Sequence, residues 1–282
     1  MRFGLGTLLI MKRRTFLASS LAASTAVTAT APRLVSAPAG TREYYELRCY
    51  RLKPGASRAP VEGYLEKALL PALDRSGLRH TGVFTAIEVN KNAGTSTPKS
   101  DTPIWVLITH PTLDSFVRVS AEINTDAALR RAGAAYLQTP KASPAYDRID
   151  SWLLLAFRSM PKMEIPAFVR SRAPGRVFEM RDYESHSEEK ALIKMAMFDE
   201  GETEIMRSLG MSPMFFGQAL AGPNLPHLRY FTAGSDLAAH LANWKKFGPD
   251  PRWVKMKDNS KYADSTSKNT ARFLVPTAYS AL

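Results

Sequence analysis

Cysteine is almost absent: Cys49 is the only one in 282 residues. No disulfide can form within one molecule, and a thiolate-held cluster or cysteine-rich zinc site is excluded on count. Cys49 sits in an apolar strand pattern and reads as a small buried hydrophobe. The phosphate- and nucleophile-positioning glycine motifs are missing as well. With no Gly-x-Gly-x-x-Gly, Gly-x-Ser-x-Gly or P-loop pattern, hydride transfer on a bound dinucleotide, serine hydrolysis and nucleotide hydrolysis have no support. None of the five histidines, His80, His110, His186, His227 and His240, belongs to a metal motif such as His-Glu-x-x-His, so no metal is expected.

Acidic residues are missing from the N-terminal stretch. Residues 1–39 contain Arg2, Lys12, Arg13, Arg14 and Arg33 and no Asp or Glu. The whole chain carries 38 Lys+Arg against 26 Asp+Glu, a charge of +12; without those five residues, 33 basic face 26 acidic ones and the charge is +7. The remaining basic residues are scattered without aromatic interleaving, which argues against a nucleic-acid partner. Hydrophobic residues at 45% and charged residues at 23% are ordinary for a folded globular protein.

Lys12-Arg13-Arg14-Thr15-Phe16-Leu17 places two arginines before an uncharged run from Phe16 to Pro32, followed by small-residue sites near Ala37 and Ala39. Such an arrangement is expected of a twin-arginine signal peptide over residues 1–39, cleaved after Ala39 and directing a folded protein to the periplasm or outside the cell. Its apolar part is too short for a stable membrane span. Residues 1–10 precede it, and Met11 is expected to be the true start.

The remainder reads as two similar copies. Tyr45-Glu46-Leu47-Arg48-Cys49-Tyr50 reappears as Phe178-Glu179-Met180-Arg181-Asp182-Tyr183, and Gly77 as Gly210, both at an offset of 133. Between these landmarks lie helical stretches, Arg58 to Asp74 and Glu188 to Leu209; Ser185-His186-Ser187-Glu188 suggests a capping box at the second. Strands are predicted over Thr81 to Val89, Ile104 to Thr109 and Ile149 to Phe157, and over Met214 to Leu220, Leu228 to Thr232 and Arg272 to Ala278. The order β-α-β-β-α-β, ferredoxin-like, therefore occurs twice, over 43–160 and 176–282, with a linker at 161–175 and a polar hairpin loop at Asn90 to Thr102.

The first strand with Leu52-Lys53-Pro54-Gly55, Gly77, and the segment Asn243-Trp244-Lys245-Lys246-Phe247-Gly248-Pro249-Asp250-Pro251-Arg252-Trp253 resemble the NIPSNAP family. The resemblance extends over residues 43–282 and is clearest in the second copy; the first lacks the Trp landmarks. It implies an α+β fold in which tandem ferredoxin-like units form a dimeric α+β barrel-like arrangement, a superfamily that also holds small monooxygenases and haem-handling enzymes. It implies neither a catalytic set nor a cofactor, and it leaves a homo-oligomer open.

Alternate residues of a strand share a face, so Glu46, Arg48 and Tyr50 point one way, as do Glu179, Arg181 and Tyr183. We expect this face to line the barrel and the apolar face, with Tyr45, Leu47 and Cys49, to meet the helices. Buried there, the charges either pair as a Glu–Arg network or let Arg48 or Arg181 anchor an anion, with Tyr50 or Tyr183 donating hydrogen bonds. His80 and His227 begin inner strands and would meet if the copies pair. Trp244, Phe247 and Trp253 serve either as packing or as the aromatic wall of a pocket, and the Met-rich run from Leu192 to Phe198 as core. The functional expectation is an exported protein that binds a small apolar or anionic molecule or acts in assembly. The alternative is a cofactor-light monooxygenase or isomerase.

Overall fold

The computed structural model describes residues 42–282; the expected signal peptide and its cleavage site lie outside them. The first unit runs β1 (Tyr44–Arg51), α1 (Ala59–Tyr64), a π-helical turn (Leu65–Leu69), α2 (Leu70–Arg75), β2 (Gly82–Asn90), β3 (Thr95–Pro98), β4 (Ile104–His110), α3 (Leu113–Glu122), α4 (Ala127–Ala132), α5 (Ala134–Leu137) and β5 (Arg148–Ala156). A short helix, α6 (Ala167–Arg170), follows. The second unit runs β6 (Val177–Glu184), α7 (Glu188–Met197), a π-helical turn (Phe198–Glu202), α8 (Thr203–Ser208), β7 (Pro213–Ala221), β8 (His227–Gly234), α9 (Leu237–Phe247), α10 (Pro251–Lys257) and β9 (Lys268–Pro276). The expected polar hairpin loop contains strand β3, and the linker contains α6.

Every strand pairs antiparallel, in the order β3-β2-β4-β1-β5-β7-β8-β6-β9, and β2 also pairs with β9. Eight strands therefore close on themselves, with β3 extending the outer part of β2. Within each half the order is that of a ferredoxin-like sheet, β2-β4-β1-β5 and β7-β8-β6-β9, and the halves join through β5–β7 and β2–β9. Closure removes the exposed edges that two open four-stranded sheets would present.

Helix starts follow local chemistry. Thr112, Ser187 and Asp236 accept a hydrogen bond from the backbone N–H three residues on, at 3.1, 3.2 and 2.8 Å. The cap of α7 is thus Ser187 and not Ser185, whose hydroxyl instead donates to the Ser265 carbonyl at 2.7 Å. No Glu stands three residues beyond Ser187, so the expected capping box is a single-sided cap.

Three apolar clusters fill the described residues. One draws on both units, with Tyr45, Leu47, Cys49, Trp105 and Trp152 meeting Phe178, Met180, Phe215, Phe231 and Leu274; this is the barrel interior. The second packs Tyr50, Val83 and Val106 against α1, α2 and α4, and the third packs Tyr183, Phe216 and Tyr230 against α7 and α8, with Phe247 of α9. The expected orientation of the faces is reversed. Tyr45, Leu47 and Cys49 line the barrel, whereas Glu46, Arg48 and Tyr50, and likewise Glu179, Arg181 and Tyr183, face the helices. The closed interior is shut off from water and takes the apolar side chains, while the helix layer lets charged side chains reach histidines and the solvent rim.

Candidate functional site

The helix-facing charges form two clusters, one per unit. In the first unit Arg48 donates to Glu46 through Nε at 2.5 Å and Nη2 at 3.1 Å. His110 Nε2 lies 3.3 Å from the same carboxylate and the Ser151 hydroxyl 3.4 Å. Burial pushes the Glu46 carboxyl up, but the hydrogen bonds from His110 and Arg48 outweigh it and hold it at about 2. Tyr50 is buried among apolar and tyrosine side chains. Arg48 is thus committed to its carboxylate, and this half of the predicted site is a satisfied ion pair.

The second unit keeps the residue types and changes the geometry. Arg181 Nε approaches Glu179 only to 3.6 Å, too far for a hydrogen bond, and finds no other partner among the described residues. Its guanidinium instead stacks on Trp244, 4.3 Å from the ring centroid, with the side chain 20% exposed. Glu179 is served by His240, whose Nε2 lies 2.8 Å from Oε2. Burial raises the Glu179 carboxyl, and the His240 contact and the Arg181 charge more than reverse it, so Glu179 is ionised. An ionised carboxylate only accepts, so the shorter contact to the charged acceptor places the shared proton on His240 Nε2. Trp244 Nε1, 3.1 Å from that same nitrogen, then has no lone pair to donate to. Two stacked groups, Arg181 and Trp244, each hold an N–H without an acceptor.

A strand position explains how His240 reaches Glu179. The first unit places its histidine on the last residue of β4; the second has Gly234 at the matching position of β8 and takes a histidine from the first turn of α9. A Cβ on Gly234 would lie 2.6 Å from the His240 Cβ, so glycine makes the room.

The predicted Trp253 joins the same layer. Trp244, Phe247 and Trp253 form a continuous aromatic row with centroid separations of 5.6 and 4.6 Å. Beside it lies a pair that the sequence analysis missed: Lys194 Nζ is 3.2 Å from Glu202 Oε2, and both residues are buried. Lys194 also lies over the rings of Tyr183, Phe198 and Trp253, at 5.2, 4.9 and 5.6 Å. Burial raises the Glu202 carboxyl, and Lys194 offsets that only in part. The Tyr183 and Tyr230 hydroxyls bond each other at 3.0 Å. The helix here takes a π-helical turn, with Gly201 at φ 154°, a conformation that favours glycine. A groove of about 410 Å³ opens outside that turn, lined by Ile205, Met256, Tyr262 and Lys255.

The histidine pairing is not found. His80 lies exposed in the loop before β2, at the barrel end where β1 begins, whereas His227 is buried at the start of β8, at the end where β1 finishes. The all-antiparallel order separates them. Among the described residues no group of three or more His, Cys, Asp or Glu is arranged to hold a metal ion, and no helix is long and apolar enough to cross a membrane.

No curated protein matches this sequence. Among solved structures, a candidate monooxygenase from Fusobacterium nucleatum superposes with TM-score 0.48 at 9% identity, covering 84% of this chain and 93% of its own. A second candidate monooxygenase, from Lactobacillus acidophilus, gives 0.49 at 7% identity, covering 83% and 94%. An uncharacterized NIPSNAP-like domain protein from Burkholderia xenovorans gives 0.34 at 16% identity over 38% of this chain and 89% of its own. The fold assignment rests on the strand order and not on these likenesses. Residues 178–281, the second unit with Arg181, Tyr183, Trp244 and Trp253, match the NIPSNAP family model.

Proposed function

We propose that this protein binds a small apolar molecule carrying an anionic or carbonyl oxygen, in the helix–sheet layer of its second unit. One observation carries the proposal: Arg181 Nε, stacked on Trp244 at the rim of that layer, lacks an acceptor, while its first-unit counterpart Arg48 gives two hydrogen bonds to Glu46. A buried donor without an acceptor costs stability, and an oxygen acceptor on a ligand would recover it. The row Trp244, Phe247 and Trp253 supplies the apolar wall. We place this activity outside the cytoplasm, on the twin-arginine pattern at Arg13 and Arg14. Changing both to Lys keeps the charge but removes the guanidinium pair, and the folded precursor should then stay in the cytoplasm; normal export would contradict that assignment.

The binding test is a thermal melt of wild type and Arg181→Leu with and without a panel of apolar carboxylates. Wild type should gain about 2.7 kcal/mol at a hundredfold excess over Kd. The mutant should melt near the wild-type apo value and lose the gain, since Glu179 keeps His240. A large apo destabilisation with no ligand response in either protein would show Arg181 to be purely structural.

The alternative, a cofactor-light monooxygenase or isomerase, is favoured by one feature: Glu202 is a buried carboxyl raised by burial, beside Lys194 and the Tyr183–Tyr230 pair. Conversion of a panel compound that Glu202→Gln abolishes while binding persists would support it; unchanged compounds after prolonged incubation in air would count against it.

A further inference from the structure

The barrel interior holds a second Arg–Trp arrangement, distinct from the helix layer. At the end where β1 and β6 finish, the inward positions of the first unit are Cys49, Trp105 and Trp152, and the sheet register gives their second-unit equivalents as Asp182, Arg229 and Arg272. The two sets interlock. The Trp105 and Trp152 rings stack at 5.9 Å; Arg229 lies 4.2 Å from the Trp152 centroid and 5.9 Å from that of Trp105, and Arg272 lies 5.6 Å from Trp105. Both guanidiniums bind the one carboxylate, Arg229 Nε to Oδ1 and Arg272 Nη1 to Oδ2 at 2.6 Å.

Charge and hydrogen bonding are both left incomplete there. Two guanidiniums share one carboxylate, an excess of one positive charge. The surrounding groups do not cancel it: Arg51 and Asp150 pair with each other at 2.6 Å, Glu184 and Lys268 pair at 3.4 Å, and Cys49 is a thiol whose titration burial pushes up to about 11. His227 donates Nδ1–H to the Asn224 carbonyl at 2.9 Å, and burial, then Arg229, hold its ring neutral at pH 7. Two donors are also unanswered. Arg229 is 3% exposed and Trp105 5%, yet Arg229 Nη1 and Trp105 Nε1 have no acceptor among the described residues. A water molecule would accept these hydrogens but leave the charge, whereas a monovalent anion supplies both acceptor and charge.

We propose that this end of the barrel binds a monovalent anion of halide size, held by Arg229 Nη1 and Trp105 Nε1 against the Asp182–Arg272 pair. Arg229 and Trp105 are almost wholly covered, which favours a small anion over a large one. The excess of one charge sets the valence. Arg272, whose side chain is 35% exposed, is the group through which the site meets solvent.

Bromide is the probe. In solution, titration of sodium bromide at constant ionic strength made up with sodium gluconate should shift the Trp105 indole N–H resonance saturably, and gluconate alone should not. In crystals soaked in bromide, an anomalous peak should lie within hydrogen-bond reach of Arg229 Nη1 or Trp105 Nε1. Trp105→Phe keeps a ring in place and removes one donor, so the bromide midpoint should rise at least tenfold in the Trp152 resonance. A shift that is absent or linear in bromide would overturn the proposal, as would a peak at that site without a saturable shift, or density for water alone. If Trp105→Phe fails to fold, the wild-type titration and crystal still decide.

Discussion

The two units share a fold and differ in what they bury. At the offset of 133 residues that aligns their π-helical turns, Leu65–Leu69 and Phe198–Glu202, the first unit has Val61 and Leu69 where the second has Lys194 and Glu202. In the sheet, Val106 opposite Arg48 stands where Tyr230 stands opposite Arg181. Val61, Leu69 and Val106 are fully buried, so at these three positions the first helix–sheet layer has hydrocarbon where the second has Lys194, Glu202 and Tyr230. The fold therefore does not require the polar groups of the second. Burying an ion pair in place of packed aliphatics usually costs stability, so the second layer carries polar groups that packing does not explain.

The largest expected effect breaks that comparison one residue at a time. Lys194→Val or Glu202→Leu alone should cost about 3–5 kcal/mol, because each strands a buried charge. The double change, which installs the first unit's pair, should be neutral or stabilising by about 1–4 kcal/mol. Chemical denaturation of the three variants measures this, and additive losses in the double variant would show that the pair is not coupled.

Acid sharpens the comparison, since Glu46 and Glu202 respond with opposite sign. The Glu46 carboxyl is held at about 2 against an ordinary 4.5, so its contribution is complete above pH about 4.5 and is lost as pH falls toward 2. At about 1.36 kcal/mol per unit that amounts to about 3 kcal/mol. Glu202 is raised, so its contribution is present below its ordinary value and is lost as pH rises through the folded one. Stability measured against pH should flatten between about 4.5 and 2 in Glu46→Gln and not in Glu202→Gln.

Smaller effects test how the second site is built. Gly234→Ala should cost about 1–3 kcal/mol by overpacking against His240 and should weaken ligand-induced stabilisation; Ala at the first unit's exposed Gly77 has no neighbour to strike, though its φ of 83° carries its own strain. Ser187→Ala should cost about 1 kcal/mol through loss of the α7 cap and leave binding unchanged. Thermal melts with and without ligand separate the two.

The element order and the membership of each strand face were legible from period. The side to which each face points was not. Both faces of β1 and β6 are buried, and alternation shows only which residues share a face. Asp182, on the otherwise apolar face, was the available sign that one barrel end is polar; Arg229 and Arg272 belong with it but are far away in sequence. Lys194 and Glu202 could have been found, because the same offset that aligns Arg48 with Arg181 sets them against Val61 and Leu69. Arg181, Tyr183, Trp244 and Trp253 were predicted and are brought together, whereas the unequal pairing of Arg48 and Arg181 depends on His110 and His240 arriving from different elements.

The central claim, that the second unit's layer and not the first's binds ligand, is tested most directly on the indole N–H resonances of the four tryptophans, Trp105, Trp152, Trp244 and Trp253. Titration with an apolar carboxylate such as decanoate should shift Trp244 first and saturably, with Trp253 following and Trp105 and Trp152 still, and Arg181→Leu should abolish the Trp244 shift. Shifts confined to Trp105 and Trp152, or an unmoved Trp244 at saturating ligand, would contradict it.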